Sequence, residues 1–330
     1  MLQLFHDPKI DFMGKRKLWV VVSLSLIAIS IAILASRGIK KGIEFEGGAE
    51  VQLQYKTSPD VAAVRSLLEK AGFAGSVVTT IGKPEENEIY VRVPLVAGAK
   101  DEDLAPTVVK ALKGAQGAEA FEVRSQSYIG PTVGRELIKK ALGAVLGSMG
   151  GMLVYIWIRF EFQWGLAAVI ALIHDTVITL GLFSLFGFEM SLPVVAAFLT
   201  LVGYSVNDTV VIFDRIRENL KARGGTVSSL PDLINVSMNQ TLSRTMLTSL
   251  LTWIVCIFLF ALGGPALRDF SFVMVVGIII GTYSSIYIAS PFLVVWQEWL
   301  IERAKAKSAL QVAKPAAPKA TAKKVRAGKA

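Results

Sequence analysis

The sequence holds little from which to build a metal or redox centre. It contains one cysteine, Cys256, and two histidines, His6 and His174. A single cysteine excludes an intramolecular disulfide and a multi-cysteine metal site, and two histidines leave too few ligands for a histidine-based one. No cofactor and no metal are therefore expected. Charge is also scarce: Asp, Glu, Lys and Arg make up 18% of the 330 residues, against about 25% in an ordinary soluble domain. With an apolar share of 53% and a mean hydropathy of +0.53, the chain is neither purely soluble nor dominated by disorder. The net charge of +9 is not spread over the chain. Residues 301–330 hold nine basic residues and one acid, so residues 1–300 carry only +1. Residues 37–133 nearly balance, with 12 basic and 13 acidic side chains, which leaves no electrostatic footprint for nucleic acid. Membrane lipid, not nucleic acid, is the expected surroundings.

Six stretches approach the roughly 20 apolar residues that a membrane-spanning helix needs. They are Leu18–Ser36, Leu137–Ile158, Gly165–Phe186, Leu192–Phe213, Met246–Leu262 and Phe270–Val295. The first is longer than the apolar core of a signal peptide, about 7–15 residues, and reads as an uncleaved anchor. Basic residues gather before span one (Lys9, Lys15, Arg16, Lys17), between spans four and five (Arg215, Arg217, Lys221, Arg223) and in the tail. With six spans all three groups lie on one side, which the positive-inside rule makes the cytoplasm. Arg37, Lys40 and Lys41, just past span one, oppose that bias locally. The expected layout is a cytoplasmic N-terminus (1–17), transmembrane helix 1 (18–36), an extracytoplasmic domain (37–133), transmembrane helices 2–6 (134–300) and a basic disordered tail (301–330) with both termini cytoplasmic. The segment Asp214–Asn219 reads as a solvated loop, with a continued helix as the alternative.

The extracytoplasmic segment alternates strand and helix periods. Strands are expected at Glu50–Lys56, Ser76–Ile81, Glu88–Val93 and Ala118–Arg124, and helices at Pro59–Ala71 and Asp101–Lys113. The order βαββαβ is the ferredoxin-like pattern. The fold class is thus an α-helical membrane protein with six transmembrane helices plus one extracytoplasmic ferredoxin-like α+β domain. An edge strand such as Val51–Tyr55 or Glu88–Val93 would be able to bind an extended chain by strand addition.

The few ionisable groups inside spans point to function, because a carboxylate at a helix centre costs about 2.5–3.5 kcal/mol on insertion scales. Asp175 sits near the middle of span three and Asp208 within span four. Both are expected to face the bundle interior and mark a proton or ion path; a structural carboxyl bonded to a neighbouring Ser or Thr is the alternative. Arg244 opens span five and pairs with Asp208 if those spans adjoin; otherwise it snorkels to headgroups. A metal-phosphohydrolase reading of His174-Asp175 lacks further ligands. Gly143, Gly147 and Gly151, and again Gly277 and Gly281, fall four apart, a spacing that lets helices pack closely. No nucleophile–base set or phosphate-binding loop is present, so no enzyme is expected.

Several motifs, in order, resemble one family. Gly42-Ile43-Glu44-Phe45-Glu46-Gly47-Gly48 is similar to its GxDFxGG signature, with Glu44 where the family usually has Asp. Gly130-Pro131-Thr132-Val133-Gly134 resembles its second marker. His174-Asp175, the run Gly203 to Glu218 containing Asn207-Asp208, and Ser243-Arg244-Thr245 resemble its third, fourth and fifth spans. On these the chain is identified as a member of the SecF family of the bacterial Sec protein-export machinery, within the resistance-nodulation-division superfamily. The resemblance runs from about residue 5 to residue 300.

It implies a multi-pass protein of the bacterial cytoplasmic (inner) membrane that pairs with SecD in a pseudo-symmetric bundle. It further implies the SecYEG channel, the accessory protein YajC and unfolded preproteins as partners, with the proton-motive force promoting export. By the family's pattern the proton path falls on Asp208 and Arg244, with Asp175 a further intramembrane acid. The alternatives are a proton-driven exporter subunit for lipid or small molecules, and a non-transporting assembly scaffold.

Overall fold

The computed structural model describes residues 8–81, 84–95, 103–222 and 229–312. His6, Arg223, the first residues of the expected Asp101–Lys113 helix and the tail beyond residue 312 lie outside them. Among the described residues, six helices are long and apolar enough to cross a membrane. Helix α1 is Arg16–Arg37. It leads through the short strand β1 (Lys40–Lys41) and a single turn α2 (Ile43–Glu46) into the domain. The domain comprises β2 (Gly48–Tyr55), α3 (Val61–Lys70), β3 (Val77–Ile81), β4 (Glu88–Pro94), α4 (Leu104–Gln116) and β5 (Phe121–Ile129). The remaining spans follow as α5 (Pro131–Arg159), α6 (Phe162–Leu185), α7 (Leu192–Ala222), α8 (Leu230–Leu262) and α9 (Gly264–Ser284). A two-residue strand β6 (Glu189–Met190) separates α6 from α7 and pairs in parallel with β1. After α9 the chain makes a π turn at Ser285–Ala289 and continues as α10 (Ser290–Val312).

The domain has the expected fold. Its strands run β3-β4-β2-β5, all antiparallel. Alternation along β2 and β4 buries Val51, Leu53, Ile89, Val91 and Val93 against Val64 and Leu68 of α3 and Val108 and Leu112 of α4. Asp60 caps α3, accepting from the amides of Ala62 and Ala63. The strand order corrects one expectation: β2 and β4 are interior strands, and the sheet edges are β3 and β5. Alternation identifies a strand but does not say which strand lies outermost.

In the membrane bundle, α6, α7 and the α9–α10 helix form the interior. More than half of the apolar windows of α6 and the last span are buried, against 6% for α5, so α5 lies at the periphery. Gly277 and Gly281 let α9 approach α7 closely. A Cβ at Gly277 would lie 2.6 Å from the Leu201 side chain, and one at Gly281 3.1 Å from Ser205. On α5 the positions Gly143, Gly147 and Gly151 have nothing within 4 Å. The first small-residue stripe packs the bundle; the second faces outward.

Two spans are longer than their apolar runs. Helix α7 continues to Ala222, so Asp214–Asn219 is helical, with Ile216 buried. Helix α8 begins at Leu230, well ahead of the expected Met246, with Ser229 as its cap. Its added turns are too polar for a hydropathy window, and two of their side chains have a task. Asn235 accepts from the amides of Phe12 and Met13 and donates to Asp11, and Asn239 brackets Ile10 on both sides. The chain ahead of α1 is thereby tied to α8, on the side opposite the domain. Helix α10 also runs into the segment expected as tail, as far as Val312.

Candidate functional site

Asp175 and Asp208 are both buried, 1% and 2% exposed, near the middles of α6 and α7. A buried carboxylate is tolerated where donors from the surroundings replace water. Three helices contribute to Asp175. One oxygen meets Nδ1 of His174 at 2.9 Å. The other accepts from Ser205 Oγ of α7 at 2.6 Å and from Ser284 Oγ of α9 at 2.8 Å. The glycine at 281 is what lets Ser205 come so near α9.

Asp208 accepts from Ser249 Oγ of α8 at 3.0 Å, and Ser249 in turn accepts from Thr282 of α9 at 2.8 Å. Thr209, the next residue, meets Ser285 of the π turn at 2.8 Å. Two carboxylates from neighbouring helices are therefore each held by hydroxyls, with α9 contributing Ser284 to one group and Thr282 to the other. Single π turns inside α-helices are frequent at functional sites.

Arg244 lies near enough to act on Asp208 electrostatically. Among the described residues, however, no ion pair joins them; the hydroxyl of Ser249 takes the carboxylate instead. The helical register explains this. Thr241, Thr245 and Ser249 repeat every four residues on the buried side of α8, and Arg244 stands beside that stripe, exposed. Asn207 and Gly203 are likewise on an exposed side of α7, next to Asp208. The structure thus sets Asp175 and Asp208 in two neighbouring groups of hydroxyls, to each of which α9 contributes, and leaves Arg244 and Asn207 on the adjoining surface. Ser205, Ser249, Thr282, Ser284 and Ser285 were absent from the residues expected at the site. Their signal in the sequence is weak, since serine and threonine are nearly neutral in hydropathy.

The glycine-rich motifs form a second constellation, the junction of domain and bundle. The Gly42 amide donates to Met190 O at 2.7 Å, and α2 turns the chain with Phe45 buried and Glu44 half-buried. Gly47 and Gly48 then have φ of 84° and 150°. A Cβ at Gly48 would lie 2.5 Å from Val93 O, and one at Gly134 would lie 2.8 Å from Phe45 O. Gly130 caps α5 and Pro131 takes its first position, where proline is favoured. The two motifs, far apart in sequence, therefore pack on each other where the chain enters and leaves the domain.

Among the described residues, one ion pair crosses this junction. Arg92 of β4 donates to Glu189 of β6 at 2.5 Å and lies 3.8 Å from Glu50 of β2. Burial pushes the Glu50 carboxyl up to about 7; Arg92 restrains the rise, and Glu44 and Glu189 add to it. A carboxyl raised on folding stabilises the fold below its unfolded value, and that stability is lost as pH rises through its folded value. Stability of the domain is expected to fall between pH 4.5 and about 7. Glu50→Gln should flatten that slope and stabilise the protein at pH 8 by about 1–2 kcal/mol. Thermal unfolding of both proteins across this pH range checks it.

Among the described residues, no group of three or more His, Cys, Asp or Glu is placed to hold a metal ion.

Comparison with known proteins gives a consistent result. A family profile described as "Protein export membrane protein SecD/SecF, C-terminal" matches residues 108–299, and one described as "SecD/SecF GG Motif" matches residues 32–59. The protein translocase subunit SecF of Desulfurispirillum indicum is 44% identical over 306 residues, covering 91% of this chain and 95% of the relative. The protein translocase subunit SecDF of Thermus thermophilus is 38% identical over 297 residues, covering 88% of this chain and 39% of the relative. A crystal structure of SecDF from that organism, titled a translocon-associated membrane protein, superimposes with a TM-score of 0.74 at 36% identity. This chain spans 39% of the length of that structure's chain.

Proposed function

The chain belongs to the SecD/SecF family of protein-export membrane proteins, and from that premise we propose that it couples proton movement through its bundle to the export of unfolded polypeptides. The observation that carries this reading is the pair of buried carboxylates, Asp175 and Asp208, held by hydroxyls on mutually packed helices. Hydroxyls suit a site that must hold both protonation states, because each donates to a carboxylate and accepts from a carboxylic acid. One elementary charge moving through 100 mV is worth about 2.3 kcal/mol, enough for each proton to bias a two-state bundle. We read Asp208 as the main proton carrier, Arg244 as the cation that modulates it, and Asp175 as a second proton site. The chain supplies conformational work and performs no reaction of its own.

SecD is the proposed partner. The Thermus relative joins SecD and SecF in one name and one longer chain, of which this one covers only part. The outward-facing α5 and the exposed Arg244, Asn207 and Gly203 beside Asp208 are polar or uncovered surfaces that a second bundle would bury. The SecYEG channel and YajC complete the proposed assembly. In this reading the chain spans the bacterial inner membrane, with both termini on the cytoplasmic side and the ferredoxin-like domain on the other. Purification in mild detergent tests the assembly: this chain should bring down a six-span homologue and the channel, and purification of the chain alone would contradict it.

A further inference from the structure

We propose that Ser284 is a positioning residue through which the protonation of Asp175 sets the conformation of the last span at its π turn. The inference rests on the proton reading of Asp175. It adds how a proton there would move a helix.

Ser284 has one hydroxyl proton and two acceptors within reach. Asp175 Oδ2 lies at 2.8 Å and the Gly281 carbonyl of its own helix at 3.1 Å. An ionised Asp175 attracts the hydroxyl proton, since a charge-assisted bond is about twice as strong as a neutral one. When a proton adds to Oδ2, a new O–H bond forms there and itself needs an acceptor. The oxygen of Ser284 can accept it, and the hydroxyl proton of Ser284 then turns to the Gly281 carbonyl. The arriving proton leaves a hydronium ion of the aqueous phase, no covalent bond of the protein breaks, and Asp175 Oδ2, Ser284 Oγ and the Gly281 carbonyl stay paired in both states.

The Gly281 carbonyl is already shared. Ser285 Oγ lies 3.0 Å from it and also 2.8 Å from Thr209 Oγ1 of α7. Ser285 begins the π turn, and its carbonyl accepts from Ser290 Oγ at 2.9 Å. A π turn interrupts the regular ladder of backbone hydrogen bonds. Here serine hydroxyls stand in at both edges of the interruption, so exchangeable side-chain bonds pin the helix at this point. A change at Ser284 bears directly on them. Ile288 of the turn and Pro291, Phe292 and Val295 of α10 line a cavity of about 380 Å³ shared with α1 and α6. That space gives α10 room to shift.

The ionisable groups facing Asp175 are few. His174 on its own helix takes the other carboxylate oxygen, and Tyr283 of α9 stacks on the imidazole with ring centroids 6.0 Å apart. Asp208 and Arg244 belong to the neighbouring set one turn along α7 and on α8.

The test uses the complete membrane complex. Infrared difference spectra report protonation of Asp175, identified by loss of its band in Asp175→Asn. Spin labels at positions 24 and 295, on facing walls of the cavity, report movement of α10. In the wild type the label distance should change with the same pH midpoint as the Asp175 band. In Ser284→Ala the label distance should no longer follow the band, because the hydroxyl that links Asp175 to the last span is gone. Ser284→Thr keeps the hydroxyl and should restore the coupling. A label distance that still tracks the band in Ser284→Ala would overturn the proposal. Failure of the proton reading would look different: Asp175→Asn would retain full export while the loss of coupling in Ser284→Ala persisted.

Discussion

Asp208→Asn is expected to abolish the stimulation of export by a proton gradient, a loss of at least tenfold in that component, while the complex still assembles. Asparagine has nearly the shape of aspartate and keeps an oxygen to accept from Ser249, so packing around α7 and α8 survives. What it lacks is a titrating group. A buried carboxylate costs free energy that a purely structural hydrogen-bond acceptor need not incur; its retention makes sense where the charge must appear and disappear. Asp208→Glu keeps the proton but adds a methylene to a closed site, and should retain part of the coupling. Asp214→Asn is the control. Asp214 lies on α7 like Asp208, but its solvent-facing side chain pairs with Arg159 of α5, and its loss should change neither assembly nor coupling, as expected of a surface ion pair. Export into inverted vesicles, with and without an imposed gradient, measures all three. Undiminished stimulation in Asp208→Asn would remove this residue from the proton path.

The second large effect is expected at the junction. Gly48→Ala should destabilise the domain by about 3 kcal/mol or more, through two additive causes. The backbone there has φ of 150°, where a side chain is strained, and the new Cβ would lie 2.5 Å from the backbone oxygen of Val93 in the adjoining strand. Backbone cannot swing aside as a flexible side chain does, so the β2–β4 ladder itself must open. Gly72 supplies the contrast. It also has positive φ, 91°, but an added Cβ meets nothing within 4 Å, so Gly72→Ala should cost only about 1 kcal/mol. Protease resistance of the domain and thermal unfolding in detergent should separate the two variants clearly; equal stability would show that the close approach at Gly48 is not limiting.

The sequence was legible where free energy forces a pattern. Water-free hydrocarbon requires long apolar runs, so six helices could be read directly. A half-buried sheet requires alternation, so β2 and β4 could be read too. The cost of a carboxylate in the membrane made Asp175 and Asp208 conspicuous. What could not be read depends on partners distant in the chain. The early start of α8 is hidden because Asn235 and Asn239 look like loop residues until the N-terminal segment they bind is seen. Strand order places β3 and β5 at the edges, which no local pattern encodes. The hydroxyls around Asp175 come from α7 and α9, and a serine among leucines and valines looks like filler. The same holds for Arg92 and Glu189, an ion pair that joins two parts of the chain each unremarkable alone.

The glycine motifs show both sides. Their clustering was visible, and so was their resemblance to a family signature. That Gly48 lies under Val93 and Gly134 under Phe45 gives them a mechanical meaning: the two connections between domain and bundle are packed into one unit. A movement of the last span has a short route outward, since α9 begins on the domain side and Asp269 in its first turns accepts from the Glu189 amide at 3.0 Å. Glu189 is the residue that Arg92 holds.

On the proposed function, protons cross the membrane through these buried carboxylates during export. The most direct measurement follows internal pH in vesicles containing this chain, its partner and the channel, with a trapped indicator, as an unfolded preprotein is translocated. Proton movement should accompany export in the wild type, should fall by at least tenfold in Asp208→Asn, and should be unaffected in Asp214→Asn. Equal proton movement in wild type and Asp208→Asn, or export driven by the gradient with no proton movement at all, would contradict it.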